Sequence, residues 1–348
     1  MTATDPLSLI MTAWVASALL MGVLWLLERR LQNLSLADVG WCYGLALVLL
    51  WYAGLVSGEL ARRLLVCVMV VVYAVRLGTH VLFDRLWGKS EDGRYRALRL
   101  QWGEQGSLRR FWYFQLQAAA IAWFSLPPLV VMQNPFPPFH LVELLGLLLW
   151  IVAVTGEAVS DRQLAAFRRQ PWNKDRVCRE GLWHYSRHPN YFFEWLHWWS
   201  YVVMGVASPL GNWGLTLIGP FTMGWALLKV TGIPWTETQT MKSRGLEYAD
   251  YQRPTNAFFP WFPRRPSPRG PIGVITCRRG RPAARGPAWR RDCPDTDGGC
   301  LRTVLWHGSD WFGVLQTGRF RAVATPDPGR KPSRSGAELQ WCKSAIGS

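Results

Sequence analysis

Seven apolar runs of near-bilayer length divide the first 265 residues of this chain, at 7–27, 39–56, 64–83, 111–132, 139–159, 192–207 and 213–233. A helix needs roughly 20 predominantly apolar residues to cross a bilayer. The pattern therefore predicts an all-α fold, a multi-pass transmembrane helix bundle of about seven spans. Arg76 and His80 interrupt the third run, and the sixth is short.

Basic residues indicate the direction of threading. Arg29 and Arg30 follow the first run; Arg85, Lys89, Arg94, Arg96, Arg99, Arg109 and Arg110 follow the third. Arg162, Arg168, Arg169, Lys174, Arg176, Arg179 and Arg187 follow the fifth, and Lys242, Arg244 and Arg253 the seventh. The loops at 133–138 and 208–212 hold no Lys or Arg. Cytoplasmic loops carry the basic excess, so the N-terminus is expected outside and the C-terminus in the cytoplasm. Arg62 and Arg63 fall on the other side and are expected to snorkel from the start of the third span. Trp41, Trp51, Tyr52, Trp112 and Tyr113 crowd the run ends and read as interfacial anchors. Pro127 and Pro128 predict a kink in the fourth span.

Mean hydropathy over the whole chain is only +0.02, although 49% of the residues are hydrophobic. The average hides two unlike parts. Residues 266–348 are rich in Arg, Pro and Gly, a composition that cannot offset its conformational entropy by burial. The expectation is a transmembrane domain over 1–265, a natural chain end near 265, and a disordered or aberrant basic tail over 266–348. That tail supplies much of the net charge of +16. With a membrane already implied, such charge suits an anionic lipid surface rather than nucleic acid. The opening MTATDPLSLI lacks a basic n-region, so the first run is expected to be retained as a span. The seven Cys form no C-x-x-C, and neither a zinc site nor a disulfide framework is indicated.

Ionisable residues packed between membrane-length runs are costly to bury and call for a use. The densest stretch is 179–199, REGLWHYSRHPNYFFEWLHWW. Gly181 and Pro189 predict a turn and a helix start, because Pro is tolerated in a first helical turn. The positive end of that helix, together with Arg187, makes an anion site. Asn190 and Glu194 share a face of the same helix, with His188 and Tyr191 beside them. His184 and His188 are four apart, but the chain has only six His, and Pro189 disturbs the helical register of a two-His site. An organic cofactor is expected there rather than a metal.

Glu157 and Asp161, also four apart, share a helix face at the end of the fifth span, with Arg168 and Arg169 two turns on. Two readings stay open: interfacial charge matching, or hydroxyl recognition by the carboxylates with phosphate on Arg, the pairing a nucleotide needs. Tyr73, Arg76 and His80 share a face of the third span. That arrangement suits helix–helix hydrogen bonding or a position over a substrate carbonyl. SEDGRY at 90–95 is placed to cover the same pocket. Glu237, ahead of Lys242, Arg244, Tyr248, Tyr251 and Arg253, is placed to complete it.

At these residues the chain resembles the steroid 5-alpha reductase superfamily, in particular its bacterial branch of uncharacterised integral membrane proteins. GLWHYSRHPNYFFE (181–194) is similar to the C-terminal motif of that superfamily, and EAVSDRQLAAFR, SEDGRY and YADYQRPTNAFFPWFP are similar to other blocks of the branch, in the same order. The likeness covers roughly 60–265; many members carry Gly where this chain has Phe193. It implies a membrane in which the chain is multi-pass, the bacterial inner membrane, and a cytoplasm-facing NADPH pocket. It also implies an enzyme, an NADPH-dependent oxidoreductase that reduces a carbon–carbon double bond conjugated to a carbonyl in a lipid or steroid-like substrate. Asn190 and Glu194 match positions near the nicotinamide or its ribose, Asp161 and Arg168 positions on the nucleotide side, and Tyr251 lies in the matching C-terminal block. With Glu157, Arg187, His188, Tyr191 and Glu237 these form the expected cofactor-binding set. Tyr73 is similar to a tyrosine proposed to donate to the substrate carbonyl, where it would stabilise enolate charge as hydride arrives from the nicotinamide.

RHPNY also resembles the cofactor motif of isoprenylcysteine carboxyl methyltransferases, which implies an S-adenosylmethionine-dependent membrane methyltransferase as the alternative. The 157–161 and 90–95 blocks favour the reductase. A membrane scaffold or lipid-binding protein without catalysis is the non-enzymatic reading.

Overall fold

The computed structural model describes residues 5–88, 91–103, 106–206, 208 and 211–264. The expected basic tail at 266–348 lies outside the described residues, within which all regular structure is helical.

Local chemistry sets the helix ends. Helix α1 (Pro6–Leu31) starts where Asp5 accepts a hydrogen bond from Ser8 N at 3.2 Å and Pro6 takes the first turn. It stops at Gln32, which turns left-handed at φ 54° and returns its N–H to Glu28 O. In α2 (Ser35–Leu55) the first N–H is met by the Asn33 side chain at 3.0 Å. The Glu59 carboxylate caps α3 (Leu60–Val81), which runs on as a π-turn, Leu82–Leu86. A short polar helix, α4 (Gly93–Trp102), starts on the Asp92 side chain.

The fourth predicted span divides into α5 (Gly106–Phe124) and α6 (Leu126–Met132). The break at Ser125 puts Pro127 and Pro128 into the first turn of a new helix, where a missing N–H costs little. Next comes α7 (Leu141–Arg169), with 29 residues. At 1.5 Å per residue it is about 43 Å long, more than a hydrocarbon core of about 30 Å, so one end stands clear of the apolar layer. After α8 (Pro189–Val206) the chain rewinds through a 3₁₀ turn (Trp213–Leu217), α9 (Ile218–Trp225) and a π-turn (Ala226–Val230). The last helix is α10 (Ile233–Gln252), broken at Gly245, φ 48°.

Five helical stretches are long and apolar enough to cross a membrane: Pro6–Leu31, Ser35–Leu55, Leu60–Leu86, Gly106–Met132 and Leu141–Arg169. This is a membrane protein. The other two predicted runs do not reach that mark. Helix α8 carries Asn190, Glu194 and His197, and the run after it changes winding twice instead of forming one α-helix. On α1, Leu9, Ala13, Ser17 and Met21 recur every four residues as the buried stripe, while Val15, Leu19 and Val23 face outward, as lipid contact requires.

Helix α7 packs chiefly on α8, α2 on α3, and α1 on α5. Glycines let α7 and α8 close on each other. A Cβ at Gly146 would come within 2.4 Å of Met204, and one at Gly156 within 2.5 Å of the Phe193 ring. The bulky Phe193 therefore sits on a glycine of the neighbouring helix, which supplies the close approach that small residues give membrane helices.

Arg62 does not snorkel. It is fully buried and pairs with Glu143 at the start of α7. Its remaining N–H groups donate to the carbonyls of Asn134, Phe136 (2.9 Å) and Pro137 (2.9 Å), so a lysine-free loop is tied down by a guanidinium. Arg63 turns to the carbonyl of Val56. These local acceptors outcompete the lipid headgroup region.

Candidate functional site

A cavity of about 580 Å³ lies where the ends of α3, α4, α7, α8 and α10 meet. Seven arginines line it: Arg85, Arg94, Arg96, Arg168, Arg176, Arg187 and Arg244. Its acids are Asp84, Glu91, Asp92 and Asp161. The basic loops after the third, fifth and seventh runs thus converge on one chamber. Arg168 stands at the rim with its side chain 57% exposed, whereas Asp161 is buried.

The 181–194 motif forms one wall. Gly181 turns at φ +58° over the Gln163 side chain, which accepts from Leu182 N at 2.9 Å; a Cβ there would strike Gln163. Trp183 donates through its ring N–H to Ser160 O at 3.0 Å, fixing the turn to α7. Ser186 accepts from His188 N at 3.1 Å just ahead of Pro189, where α8 begins. The segment after α10 is fastened to the same turn. Arg187 N donates to Asn256 O at 2.9 Å, and Trp261 N to Tyr185 O at 2.9 Å.

Of the expected cofactor residues, Asp161, Arg168, Arg187, His188, Asn190, Tyr191 and Tyr251 line the cavity. Glu157, Glu194, Glu237 and Tyr73 stand behind its wall. Most lining residues are already engaged: Arg85 and Arg94 pair with Asp38 and Asp92, Arg168 reaches Asp84 at 3.9 Å, and Arg244 donates to the carbonyl of Arg176 at 2.7 Å. The Arg187 guanidinium is held by Glu237 at 2.7 Å and by the carbonyls of Gln252 (3.0 Å) and Thr255 (2.6 Å). The Tyr251 hydroxyl donates to the carbonyls of Trp183 and Ser186. Both fasten the wall. Tyr191 stacks on His188 and shares a 3.1 Å hydrogen bond with Thr236. His184 packs on Tyr185 instead, away from His188.

Behind the wall runs a buried polar network. Asn190 Nδ2 donates to Asp161 at 3.3 Å, and the Asn190 side-chain oxygen is buried without a donor. Arg76 pairs with Asp161 and, at 2.5 Å, with Glu157. His80 reaches Asp161 at 3.8 Å. Deeper still, the Tyr73 hydroxyl donates to Glu194 at 2.5 Å, and the Tyr73 ring stacks on His197 with centroids 3.9 Å apart. Tyr73 is fully buried.

Electrostatics at the wall follow from contact. Burial alone would raise the Glu237 carboxyl, but the hydrogen bond from His188 and the charge of Arg187 hold it down at about 2. Burial pushes His188 below its ordinary value despite Glu237 at 3.4 Å. Near neutral pH the wall carries a charged Arg187–Glu237 pair and a neutral imidazole.

A family model described as a protein of unknown function, DUF1295, matches residues 24–255. The chain belongs to the DUF1295 family. The match takes in every cavity-lining residue named above. No curated protein and no solved structure matches the chain.

Arg76 takes the helix–helix role, its partners being Glu157 and Asp161 on α7, while the cavity position of Arg85, Arg96 and Arg176 is not marked in the sequence. Arg94 belongs to the SEDGRY block expected over the pocket, and the signal that could have found Arg96 is its place just beyond that block. In this DUF1295 chain these arginines, with Arg85 and Arg94 paired to Asp38 and Asp92, line the cavity next to the Asn190–Asp161 contact. Ligand pockets span roughly 300–1,000 Å³, a range that contains this cavity. Arginine provides forked donors for phosphate, and carboxylates accept from hydroxyls. The donor set can take phosphate and hydroxyl groups.

Proposed function

We propose that this chain is a membrane-embedded, NAD(P)H-dependent reductase of a conjugated carbon–carbon double bond in a lipid or steroid-like substrate, related to steroid 5-alpha reductase-like proteins. The observation that carries the reading is the pairing of seven cavity arginines with the buried Asp161–Asn190 contact. A dinucleotide phosphate brings several phosphate charges and two sets of ribose hydroxyls, and this cavity offers a partner for each kind of group. When bound, NADPH supplies the hydride.

The chain's own groups do the rest. Arg168, Arg176 and Arg244 would take phosphate at the rim, and Asp161 and Asn190 would take hydroxyl or carboxamide groups at the buried end. Arg187, His188, Tyr191, Glu237 and Tyr251 keep the wall in place. Glu157 and Glu194 hold the second layer, and Tyr73 is the donor held ready behind it, its hydroxyl oriented by Glu194. The convergence of the basic loops supports a cytoplasm-facing cavity, with the N-terminus outside and the protein in a bacterial inner membrane.

The methyltransferase alternative fits less well. S-adenosylmethionine carries two cations, a sulfonium and an ammonium, and a single carboxylate; a basin of arginines repels the cations and overprovides for the carboxylate. Isothermal titration of purified protein with NADPH, NADH and S-adenosylmethionine tests the choice. NADPH is expected to bind and S-adenosylmethionine not; Asn190→Ala is expected to abolish NADPH binding with the helix content intact. Binding of S-adenosylmethionine alone would overturn the reading. Oxidation of NADPH by membranes given a panel of enone lipids then tests the reaction itself, and silence despite NADPH binding would favour a non-catalytic role.

A further inference from the structure

An open groove of about 530 Å³ runs between α1 and α5 and shares no residue with the arginine-lined cavity. Helix α1 lines it with Val15, Gly22, Trp25 and Leu26 among others, and α5 with Phe111 and Gln115. Indoles aside, Gln115 is its one polar side chain, and that amide is turned to Ala18 O at 3.4 Å. Gly22 leaves a notch in the wall: an added Cβ there would meet nothing within 4 Å. From Val15 to Leu26 the groove follows α1 for about 16 Å, close to the roughly 15 Å depth of one leaflet's hydrocarbon.

The apolar stripe ends on charge. Val15, Gly22 and Arg29 follow one another at two-turn spacing, and a helix drifts only about 20° over each such step, so the three stand nearly in line. The Arg29 guanidinium lies over the Trp25 ring at 5.4 Å, and Arg30 comes next. Both arginines are exposed. The acid beside them in sequence, Glu28, is taken by Arg99 at 2.9 Å and Arg110 at 3.1 Å, and among the described residues neither Arg29 nor Arg30 has a carboxylate partner.

We propose that this groove is a binding site for an anionic phospholipid, with an acyl chain lying along α1 over Gly22 and the phosphate on Arg29 and Arg30.

Charge and length select that occupant. Arginines at the end of a span reach the headgroup layer wherever they stand. Here they close an indentation as deep as one leaflet, so a single lipid meets both features at once. A second copy of the chain fits less well. Copies in one membrane thread the same way, so a symmetric pair through this face would set Arg29 against Arg29. The helix of a second copy would also need the length of α1, Pro6–Leu31, whereas the groove follows only the half next to the arginines. A neutral sterol would leave both cations unanswered.

Native mass spectrometry of the full chain in detergent, with phosphatidylglycerol or phosphatidylcholine of the same acyl chains added, tests the site. One basic residue near an anionic lipid is worth about five-fold in affinity, so the wild type is expected to prefer phosphatidylglycerol by about 25-fold. Arg29→Gln/Arg30→Gln should bring that preference down towards parity. Gly22→Leu fills the notch without changing the charge, and should loosen the tightest phosphatidylglycerol, whereas lipid held on any other basic surface is blind to residue 22. Equal retention of the two lipids by the wild type would overturn the proposal. So would unchanged phosphatidylglycerol retention in either variant, or a dimer in the wild type that Gly22→Leu abolishes, which would give the groove to a second copy. Gly22 faces open space, so its variant is expected to keep the wild-type thermal midpoint; should the arginine variant fail to fold, wild type and Gly22→Leu decide. No nucleotide enters the measurement, and its outcome is independent of the reductase reading.

Discussion

Arg76 on α3 and Glu157 on α7 meet at 2.5 Å, and their separation in sequence, 81 residues (76 to 157), equals that of the buried pair Arg62–Glu143 (62 to 143). The two pairs are rungs between the same two helices. Fourteen residues separate the rungs on each helix, close to four helical turns, so both fall on one face. Running α3 and α7 in the same direction, with this register, places Arg76 against the cavity wall and Arg62 at the far end of the helices.

Removing the cation of the inner rung should therefore cost much more than a surface change. Arg76→Ala leaves Glu157 and Asp161 buried without their guanidinium, and breaking a buried pair in this way costs about 3–5 kcal/mol. Arg76→Ala is expected to lower the thermal midpoint in detergent sharply, and Arg76→Ala/Glu157→Gln to recover part of the loss by removing one of the stranded charges. A double variant no more stable than the single one would deny that the pair acts as a rung.

The packing of Phe193 on Gly156 leads to a second expectation. An added Cβ at Gly156 meets the ring at 2.5 Å, and overpacking a filled core costs about 1–3 kcal/mol. Phe193→Ala alone opens a cavity, and Gly156→Ala/Phe193→Ala lets each change relieve the other. Thermal unfolding of the four proteins should give an interaction energy of about 0.5–3 kcal/mol, favourable to the double variant. Simple additivity would show that the two residues do not touch.

Five of the spans were legible because unbroken apolar runs leave a chain little choice in a bilayer. The two later runs do not form helices that are long and apolar enough to count as spans by length and composition. Tryptophans and tyrosines raised their apolar content, while Asn190, Glu194 and His197 in one, and the changes of winding in the other, lowered what they can do as spans. At the site, the motif residues Asp161, Asn190 and Arg168 could be gathered from spacing and resemblance, since Asn190 and Arg168 sit beside helix ends and Asp161 lies two turns before one. Arg187 and Tyr251 could not be assigned their fastening role, because apart from Glu237 on Arg187 their partners are backbone carbonyls from distant segments, and a carbonyl has no residue type. The Tyr73–Glu194 contact joins positions 121 residues apart and left no local trace.

Acid should weaken the fold in two stages through the wall residues His188 and Glu237. Folded His188 is pushed below its ordinary value of 6.5, chiefly by burial. As pH falls through 6.5 the unfolded chain takes up a proton that the folded chain refuses, so stability declines from there downward. Glu237 behaves in the opposite sense within the native state. Burial would raise it, but His188 and Arg187 hold it at about 2 against an ordinary 4.5. Its contribution is complete above 4.5 and is lost as pH falls from 4.5 towards about 2. His188→Gln keeps a polar side chain but cannot titrate, and is expected to flatten the first stage while leaving the second. Glu237→Gln should flatten the second, at the cost of lower stability at neutral pH where the Arg187 pair is broken. Thermal midpoints in detergent across this pH range read both stages. A His188→Gln profile parallel to wild type just below pH 6.5 would mean that this imidazole is not the group refusing the proton.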